Sequence, residues 1–239
     1  MTSFITIMLL RKLIKKYPIN IEKNIEIKNL ASDSRKVKKG DLFFAIKGTK
    51  LDGNEFIKEA LNKGAKAVIC SSSLKLRNKN TIFIKDKNPR LALAYACSKF
   101  FKDKPKNIIA VTGTNGKTSV ADFFYQILKL NKVPVASIGT LGVKKNKKTK
   151  KLKLTSPDTI SLHRELNNLK KLKINNVIIE ASSHGLHQGR LNLINFKAGI
   201  FTNFTQDHLD YHKSMKNYLK AKMILFSTLL KKNKFMITD

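Results

Sequence analysis

The segment Asn107–Ser119, NIIAVTGTNGKTS, constrains the fold of this chain more than any other part of the sequence. The apolar run from Ile108 to Val111 predicts a buried strand, a turn with two glycines follows, and apolar residues recur at helical spacing from Val120 onward. A strand, a Gly-Lys-Thr turn and a helix together form a common binding site for a nucleoside triphosphate. The N–H groups of the turn and the helix N-terminus face the phosphates, the lysine neutralises them, and the threonine hydroxyl binds magnesium. We therefore expect an α/β domain that binds ATP and Mg²⁺.

The match to the general phosphate loop, G-x-x-x-x-G-K-[ST], is incomplete. Its first glycine would fall at Val111, and the chain has instead a shortened form from Gly113 to Thr118. A simple Gly-Asn turn that joins a strand to a helix is the alternative interpretation. Lys117 and Thr118 follow Gly116 directly, and this order between a strand and a helix favours the phosphate loop.

The chain is strongly basic, since 48 Lys and Arg residues against 16 Asp and Glu give a net charge of +32. A nucleic-acid-binding NTPase would explain this charge and would bind RNA or DNA with a steep salt dependence. However, the lysines are spread along the chain, arginine is scarce, and the aromatic residues lie in core-like apolar patterns. We interpret the charge as a compositional bias that favours a polyphosphate substrate, and we expect no specific nucleic-acid partner.

No apolar run approaches the roughly 18 residues of a membrane-spanning helix, so we expect no membrane insertion. The apolar stretch Phe4–Leu10 is short and follows no basic region, unlike a signal peptide. Cys70 and Cys97 lack metal-like spacing, and we expect them to be buried free thiols in the cytoplasm. Met8 begins the amphipathic stretch MLLRKLIKKYP, which predicts a first helix, and translation could start at either Met1 or Met8.

Alternating strand and helix patterns predict two α/β domains, an amino-terminal one at 1–103 and a central one at 104–239 with a mainly parallel sheet. The predicted elements of the first domain are strands at 40–48, 67–70 and 81–84 and helices at 55–63 and 89–101. Those of the second, beyond the phosphate-loop segment, are strands at 177–180, 198–203 and 234–238 and helices at 161–173 and 218–230. The lysine-rich stretch 144–153 predicts a solvated hairpin or loop.

Further candidate residues follow the predicted strands of the second domain. Glu180 ends an apolar strand, where ligands bind in parallel α/β sheets, and its carboxylate could hold the magnesium that bridges nucleotide phosphates. The Ser-His pair nearby lacks G-x-S-x-G and a placed acid, which argues against a hydrolase. His208 and His212 have zinc-like spacing but lack the Glu of H-E-x-x-H, so a histidine beside the phosphates is the better interpretation.

Five blocks, which stand in order along nearly the whole chain, together resemble the Mur ligases of peptidoglycan synthesis, in particular their tripeptide-forming branch. The blocks are SDSR at 32–35 with GDLFFAIKG and DGNEFI, VTGTNGKTS at 111–119, LTSPD at 154–158, EASSHGLHQGR at 180–190, and TNFTQDHLDYHKSMKNYLKAK at 202–222. GTNGKT alone would fit a folylpolyglutamate ligase equally well, whereas SSHGL with DHLDYH is more specific. Ser156 stands where the family commonly has a second threonine, which keeps a hydroxyl.

The resemblance implies roles for individual residues. The uridine nucleotide would contact Ser32, Ser34, Thr49, Lys50 and Leu51. The ATP phosphates would be held by Gly113, Thr114, Asn115, Gly116, Lys117, Thr118 and Ser119. The UDP-sugar dipeptide would be held by Thr155, Ser156, Ser182, Gln188 and Arg190. Magnesium would be bound among Thr118, Glu180, His208 and Lys222, the last as a carbamate. The catalytic residues would be Lys117, His208 and Lys222.

The reaction that the resemblance implies is ATP-driven amide formation. The terminal D-Glu carboxylate of UDP-N-acetylmuramoyl-L-alanyl-D-glutamate would become an acyl phosphate. The amine of a diamino acid, meso-diaminopimelate or L-lysine, would then displace phosphate. Lys117 and magnesium would stabilise the charge that develops during phosphoryl transfer.

Members of the family are about twice as long as this chain. The resemblance therefore implies that the rest of the central domain and a carboxyl-terminal domain, which selects the amino acid, are missing. We expect a fragment that cannot complete the ligation alone. A stand-alone module that binds the UDP-sugar peptide, with or without ATP, and does not turn it over is the alternative.

Overall fold

The computed structural model describes residues 7–14, 25–49, 51–71, 81–145, 148–152 and 154–238. The chain divides into two compact units, Met1–Phe100 and Phe101–Asp239, called here the first and second units. The assignment of a uridine-nucleotide domain to 1–103 and an ATP domain to 104–239 stays a prediction. In the described ranges, no helix is long and apolar enough to cross a membrane.

The first unit contains a four-stranded parallel sheet with the strand order β3-β4-β5-β6 and a separate antiparallel pair, β1 with β2. Its strands are β1 Met8–Leu9, β2 Glu26–Ile27, β3 Leu30–Ala31, β4 Leu42–Phe44, β5 Ala67–Cys70 and β6 Ile82–Lys85. Its helices are α1 Leu10–Leu13, α2 Ile57–Asn62 and α3 Pro89–Phe100, with short 3₁₀ segments at Ser34–Lys36 and Gly53–Phe56. Every residue of β4 and β5 is buried, which explains why these strands are continuous apolar runs rather than alternating ones.

The predicted first helix is wrong in part. Met8–Leu9 is a strand that pairs with Glu26–Ile27, and only Leu10–Leu13 is helical. Leu10 continues the pairing, because its N–H donates to the carbonyl of Ile25 at 2.9 Å. Ile14 caps this short helix, and the rest of the predicted helix lies outside the described residues.

The second unit contains a seven-stranded sheet with the strand order β10-β9-β8-β11-β7-β12-β13. Its strands are β7 Asn107–Thr112, β8 Val135–Gly139, β9 Gly142–Lys145, β10 Lys148–Lys150, β11 Asn176–Glu180, β12 Ala198–Phe201 and β13 Phe235–Thr238. Its helices are α4 Lys117–Leu130, α5 Thr159–Lys171, α6 Ser183–His187, α7 Leu209–His212 and α8 Met215–Ile224, followed by a π-helical turn at Leu225–Leu229. The pairs β8-β11-β7-β12-β13 are parallel and β8-β9-β10 are antiparallel, which confirms the predicted fold class.

The two faces of this sheet are covered differently. Val177 and Ile179 of β11 pack in a large core with α5 and α6, whereas Ile178, on the opposite face, packs with Ala121 of α4. α4 is exposed along part of its length, with Phe123, Ile127 and Leu130 being 62%, 58% and 81% exposed. The helix predicted after the turn is confirmed as α4, but the core-like burial predicted for aromatics does not hold at Phe123.

Two other predictions hold with changes. The helix predicted at 218–230 begins earlier, at Met215, because the Ser214 hydroxyl accepts the N–H of Asn217 at 3.2 Å as an N-cap. The lysine-rich stretch does form a hairpin, β9 with β10. It is not simply solvated, because Lys144 pairs with Asp122 of α4 and Lys145 with Glu165 of α5, at 2.5 and 2.8 Å.

Candidate functional site

The turn after β7 has a conformation that requires its glycines. Gly113 has φ +145° and Gly116 has φ +80°, both in the region that L-residues avoid. A Cβ at Gly113 would also lie 1.9 Å from the hydroxyl oxygen of Thr202, which follows β12. The backbone of this loop therefore approaches the end of the neighbouring strand more closely than a side chain would permit.

Residues that follow β12 hold the loop in place. The N–H of Thr114 donates to the carbonyl of Asn203, and the N–H of Asn115 donates to the Asn203 side-chain oxygen, both at 2.9 Å. The Thr202 hydroxyl donates to the carbonyl of Asn115 at 2.6 Å. These contacts fix the loop against the carboxyl end of the sheet, at the start of α4.

Two lysines converge on the carbonyl of Gly113. Lys117 Nζ donates to it at 3.0 Å and to the carbonyl of Thr114 at 2.6 Å, and Lys222 Nζ of α8 donates to it at 2.5 Å. Lys222 is 1% exposed, and burial lowers its pKa to about 7, with the charge of Lys117 contributing. Burial also lowers the pKa of Lys117, while the charge of Glu180 opposes that shift.

Glu180, at the end of β11, is a buried carboxylate, only 2% exposed. Its Oε2 accepts the hydroxyls of Thr118 and Thr140 at 2.9 and 3.0 Å, and its Oε1 accepts the backbone N–H of Thr140 at 2.9 Å. Among the ion pairs of the described ranges, none involves Glu180. It is therefore a desolvated negative charge held by neutral donors, directly beside the first turn of α4.

The donor set at this carboxylate suits a magnesium ion. No group of three or more His, Cys, Asp or Glu side chains that could cage a metal occurs among the described residues. Magnesium commonly uses one or two carboxylates together with substrate phosphates and water, rather than a cage of protein ligands. Glu180 and the hydroxyl of Thr118 fit that requirement.

A cluster of imidazole and phenol rings lies beside the loop. His184 stacks on Tyr211 at a ring-centroid distance of 4.1 Å, and His208 lies 4.9 Å from His184. Tyr218 connects this cluster to the loop, since its hydroxyl donates to Thr114 Oγ1 at 3.3 Å and its ring contacts Lys222 Nζ at 4.2 Å.

The two histidines with zinc-like spacing have different environments. His208 precedes α7, has φ +51°, and is exposed beside Asp207. His212 ends α7 and is buried, with its Nε2 at 3.0 Å from the Ser183 hydroxyl. Burial lowers the pKa of His212 to about 4, with the neighbouring histidines contributing. The two rings do not share a helical face, because His208 lies outside the helix.

A hydrogen-bond network links four of the predicted substrate residues to Glu180. The Ser156 hydroxyl contacts the carbonyl of Glu180 at 2.8 Å and the Ser182 hydroxyl at 3.0 Å. Arg190 donates to the carbonyl of Ser156 at 2.8 Å and twice to the side-chain oxygen of Gln188, at 2.6 and 3.1 Å. Thr155, the fifth, contacts Thr140 through the two hydroxyls at 3.1 Å.

In the first unit, a cavity of about 560 Å³ is lined by four of the five predicted uridine-nucleotide residues. These residues are Ser32, Ser34, Thr49 and Leu51; Lys50 lies outside the described residues. The cavity also contacts Asp33, whose pKa is held below its usual value by the Arg35 guanidinium. The Ser34 hydroxyl donates to Glu59 at 2.6 Å.

Within each unit, the structure thus places most of that unit's predicted site residues near one another and adds others. Ser119 is exposed in the first turn of α4. Thr140 and Tyr211 were not predicted. The Tyr211 hydroxyl accepts from Gln188 Nε2 at 3.2 Å and lies 2.9 Å from His187 Nδ1. The position of Thr140 directly after a buried strand was the available signal, the same one that identified Glu180.

Comparison with protein families gives two adjacent matches. Residues 26–105 match the Mur ligase family, catalytic domain, and residues 111–239 match the Mur ligase middle domain.

Curated relatives from several bacteria are similar over most of the chain. The UDP-N-acetylmuramoyl-L-alanyl-D-glutamate--2,6-diaminopimelate ligase of Brucella melitensis is 43% identical over 208 residues, which are 87% of this chain and 43% of the relative. The ligases of the same name from Clostridioides difficile and Rickettsia conorii are 41% and 44% identical, over 91% and 89% of this chain and 45% of each relative. The chain thus spans less than half the length of these relatives.

Among solved structures, a ligase with that same printed name aligns with a TM-score of 0.78 at 29% identity, over 92% of this chain and 45% of that one. The MurF ligase of Thermotoga maritima in complex with ADP aligns with a TM-score of 0.59 at 22% identity, over 88% of this chain and 45% of that one, which shows a shared fold.

Proposed function

The chain belongs to the Mur ligase family, and on that premise we propose that it forms the nucleotide-binding and UDP-substrate-binding part of a cytoplasmic, ATP-dependent ligase of peptidoglycan synthesis. The proposed reaction joins 2,6-diaminopimelate to UDP-N-acetylmuramoyl-L-alanyl-D-glutamate. The names of relatives that are 41–44% identical support this substrate pair over L-lysine and over a folate substrate. The observation that carries the proposal is the contact of Thr118 with the buried carboxylate of Glu180.

The loop between Gly113 and Thr118 would hold the ATP phosphates. Its position at the N-terminus of α4 aims backbone N–H groups at a bound anion, and the helix dipole adds to the attraction. Lys117 Nζ lies against the loop itself, where it donates to the carbonyls of Gly113 and Thr114. Lys117 would then balance the negative charge that develops on the transferred phosphoryl group.

Thr118 and Glu180 would hold Mg²⁺, with His208 as a further candidate ligand. When bound, magnesium neutralises phosphate charge and acts as a Lewis acid. Glu180 is suited to this role because it is buried and hydrogen-bonded and forms no direct ion pair among the described side chains, although the charge of Lys117 is close enough to interact with it. His208 is exposed beside Asp207, and its ring is 6.0 Å from that of Tyr218, which contacts the loop.

Lys222 would act as a carbamate. Its Nζ would form a bond to the carbon of CO₂, one C=O electron pair would move to oxygen, and the nitrogen would release a proton to solvent. Only the neutral amine can react, and burial favours that form by lowering the pKa of Lys222 to about 7. The product is an anion, which could serve as a metal ligand where a cation could not.

In the chemical step, a carboxylate oxygen of D-Glu would bond to the γ-phosphorus of ATP while the bond to ADP breaks. The amine of diaminopimelate would then attack the acyl carbon, lose a proton and expel phosphate. Arg190, Ser156 and their network would orient the dipeptide, because they are tied to the backbone of Glu180. The orientation of the reacting carboxylate relative to the phosphates would be the main contribution of these residues.

The cavity of the first unit would bind the uridine nucleotide. Its volume of about 560 Å³ lies within the usual range for small-molecule sites. The hydroxyls of Ser32, Ser34 and Thr49 offer hydrogen bonds, and Phe43 and Phe56 offer apolar surface for a base. Lys50, between two lining residues in sequence, would supply a positive charge for the diphosphate.

Calorimetric titration of the purified chain with UDP-N-acetylmuramoyl-L-alanyl-D-glutamate, with and without Mg-ATP, tests this proposal. We expect saturable binding that Arg190→Ala abolishes and Arg164→Ala, at an exposed arginine of α5, leaves unchanged. No binding by a folded chain would contradict the proposal. In a parallel assay that also contains 2,6-diaminopimelate, binding without tripeptide formation would favour a non-catalytic module, and robust tripeptide synthesis would show that these residues suffice for ligation.

A further inference from the structure

We propose that Thr140 is a positioning residue for the metal site, which holds the carboxylate of Glu180 in its ligating orientation and links it to Thr155. This inference rests on the proposed function, because it assigns a partner to the proposed magnesium ligand. Thr140 lies directly after β8, and β8 pairs in parallel with β11, which ends at Glu180. The two strand ends therefore lie side by side.

Thr140 contacts both oxygens of the carboxylate. Its N–H donates to Oε1 at 2.9 Å and its hydroxyl donates to Oε2 at 3.0 Å. Two donors from one residue, one to each oxygen, fix the rotation of the carboxylate about its last side-chain bond. The third donor, Thr118, cannot fix that rotation alone and would itself be needed by the metal.

The backbone beside Thr140 is built for this close approach. A Cβ at Gly139 would lie 2.0 Å from Glu180 Oε1 and 2.4 Å from its carboxyl carbon. Gly139 has no positive φ, so its backbone conformation does not require glycine. A side chain at this position would clash with the carboxylate of Glu180, and this clash explains the glycine.

The same hydroxyl extends the network toward the substrate. Thr140 Oγ1 lies 3.1 Å from Thr155 Oγ1. Since the Thr140 hydroxyl has one proton and donates it to Glu180, Thr155 must be the donor in this contact. A residue proposed to hold the dipeptide is thus two hydrogen bonds away from the proposed metal ligand.

The test compares Thr140→Val, which removes the hydroxyl at constant shape, with Thr140→Ser, which keeps it. ATP binding is measured by calorimetry across a magnesium series, and Mn²⁺ binding by electron paramagnetic resonance. We expect Thr140→Val to weaken metal-dependent binding by about 10-fold, the lower end for residues that orient a ligand, because the backbone donor remains. Thr140→Ser should bind as the wild type does, as should Thr228→Val at an exposed threonine.

Wild-type metal dependence in a folded Thr140→Val variant would overturn the inference, as would an equal loss in Thr140→Ser. If the valine variant does not fold, Thr140→Ala replaces it and carries the same expectation. Failure of the wild type itself to bind ATP in a magnesium-dependent way would instead overturn the proposed function, and this inference with it.

Discussion

The carboxylates of the two candidate sites differ in burial and in the groups that they contact. In the second unit, Glu180 is buried and held by two hydroxyls and one N–H. In the first unit, Asp33 and Glu59 line the cavity with side chains that are 27% and 39% exposed, and each pairs with a neighbouring cation. Among the described residues, Glu180 is buried and forms no direct ion pair, whereas Asp33 and Glu59 are partly exposed and paired.

This difference in environment indicates a functional role for Glu180 and only a minor contribution to stability from Asp33 and Glu59. Burial of an unpaired charge costs several kcal/mol in general, so it persists where a function requires it. Exposed ion pairs contribute little to stability, because water and salt already screen them. We therefore expect substitutions of Glu180 to affect ligand binding strongly and substitutions around the first cavity to leave the fold unaffected.

The largest expected effect is that of Glu180→Gln on metal-dependent ATP binding. The amide is isosteric but uncharged, so the gain in ATP affinity on adding Mg²⁺ should fall by about 100-fold or more. This loss equals or exceeds the largest one usual for residues that only orient a metal ligand. Glu59→Gln in the first unit is the matched control and should bind Mg-ATP normally. Equal behaviour of the two variants in calorimetry would show that the buried and the exposed carboxylates do not differ in their importance for Mg-ATP binding.

The next largest effect is expected at Lys222, the lysine that is buried beside the Gly113 loop. In ¹³C-bicarbonate, the protein should show a carbamate carbon signal by NMR that is absent in Lys222→Arg and retained in Lys220→Arg. Because the pKa of Lys222 is about 7, the neutral amine predominates above that pH, and the signal should grow from pH 6.5 to 8. A signal that survives in Lys222→Arg would assign the carbamate elsewhere.

The buried histidines should make the stability of the protein depend on pH. All five histidines lie in the second unit. His163 is fully buried, and burial lowers its pKa to about 4, with Lys104 contributing. Between about pH 6.5 and 4 the unfolded chain binds a proton there that the folded chain does not, so stability falls as pH falls. His163→Leu should reduce that slope, by at most about 1.4 kcal/mol per pH unit.

Urea unfolding followed by circular dichroism at several pH values measures this slope. His212, whose pKa is also lowered to about 4, should keep part of the acid sensitivity in the variant. An unchanged slope in His163→Leu would mean that the pKa of this side chain is the same in the folded and the unfolded protein.

The smallest expected effect is that of Lys63→Met in the first unit. Lys63 pairs with Glu59 at 2.8 Å on the surface of α2, and Glu59 keeps its hydrogen bond from Ser34. We expect no measurable change in the unfolding midpoint and none in its salt dependence. A clear loss of stability would show that exposed charges matter more in this unit than its geometry suggests.

Local chemistry was predictable from the sequence, and contacts between distant segments were not. The β7 turn, the Glu180 strand end and the fold class follow from residue types at fixed spacing. The contact of Thr140 with Glu180 depends on β8 and β11 being neighbours, an order that strand patterns do not reveal. Likewise, helical spacing predicted a helix through Phe123 and Ile127. It could not show that these two side chains are exposed and that α4 packs against the sheet through Ala121 instead.

The convergence of Lys117 and Lys222 on one carbonyl has a consequence for how the loop responds to its surroundings. As two ammonium groups they repel each other, and the loop attracts nucleotide phosphates with both. With a carbamate at position 222, that repulsion becomes attraction, and Lys117 gains an internal counter-ion with which phosphates must compete. The electrostatic field that meets an incoming nucleotide would then depend on the concentration of dissolved carbon dioxide.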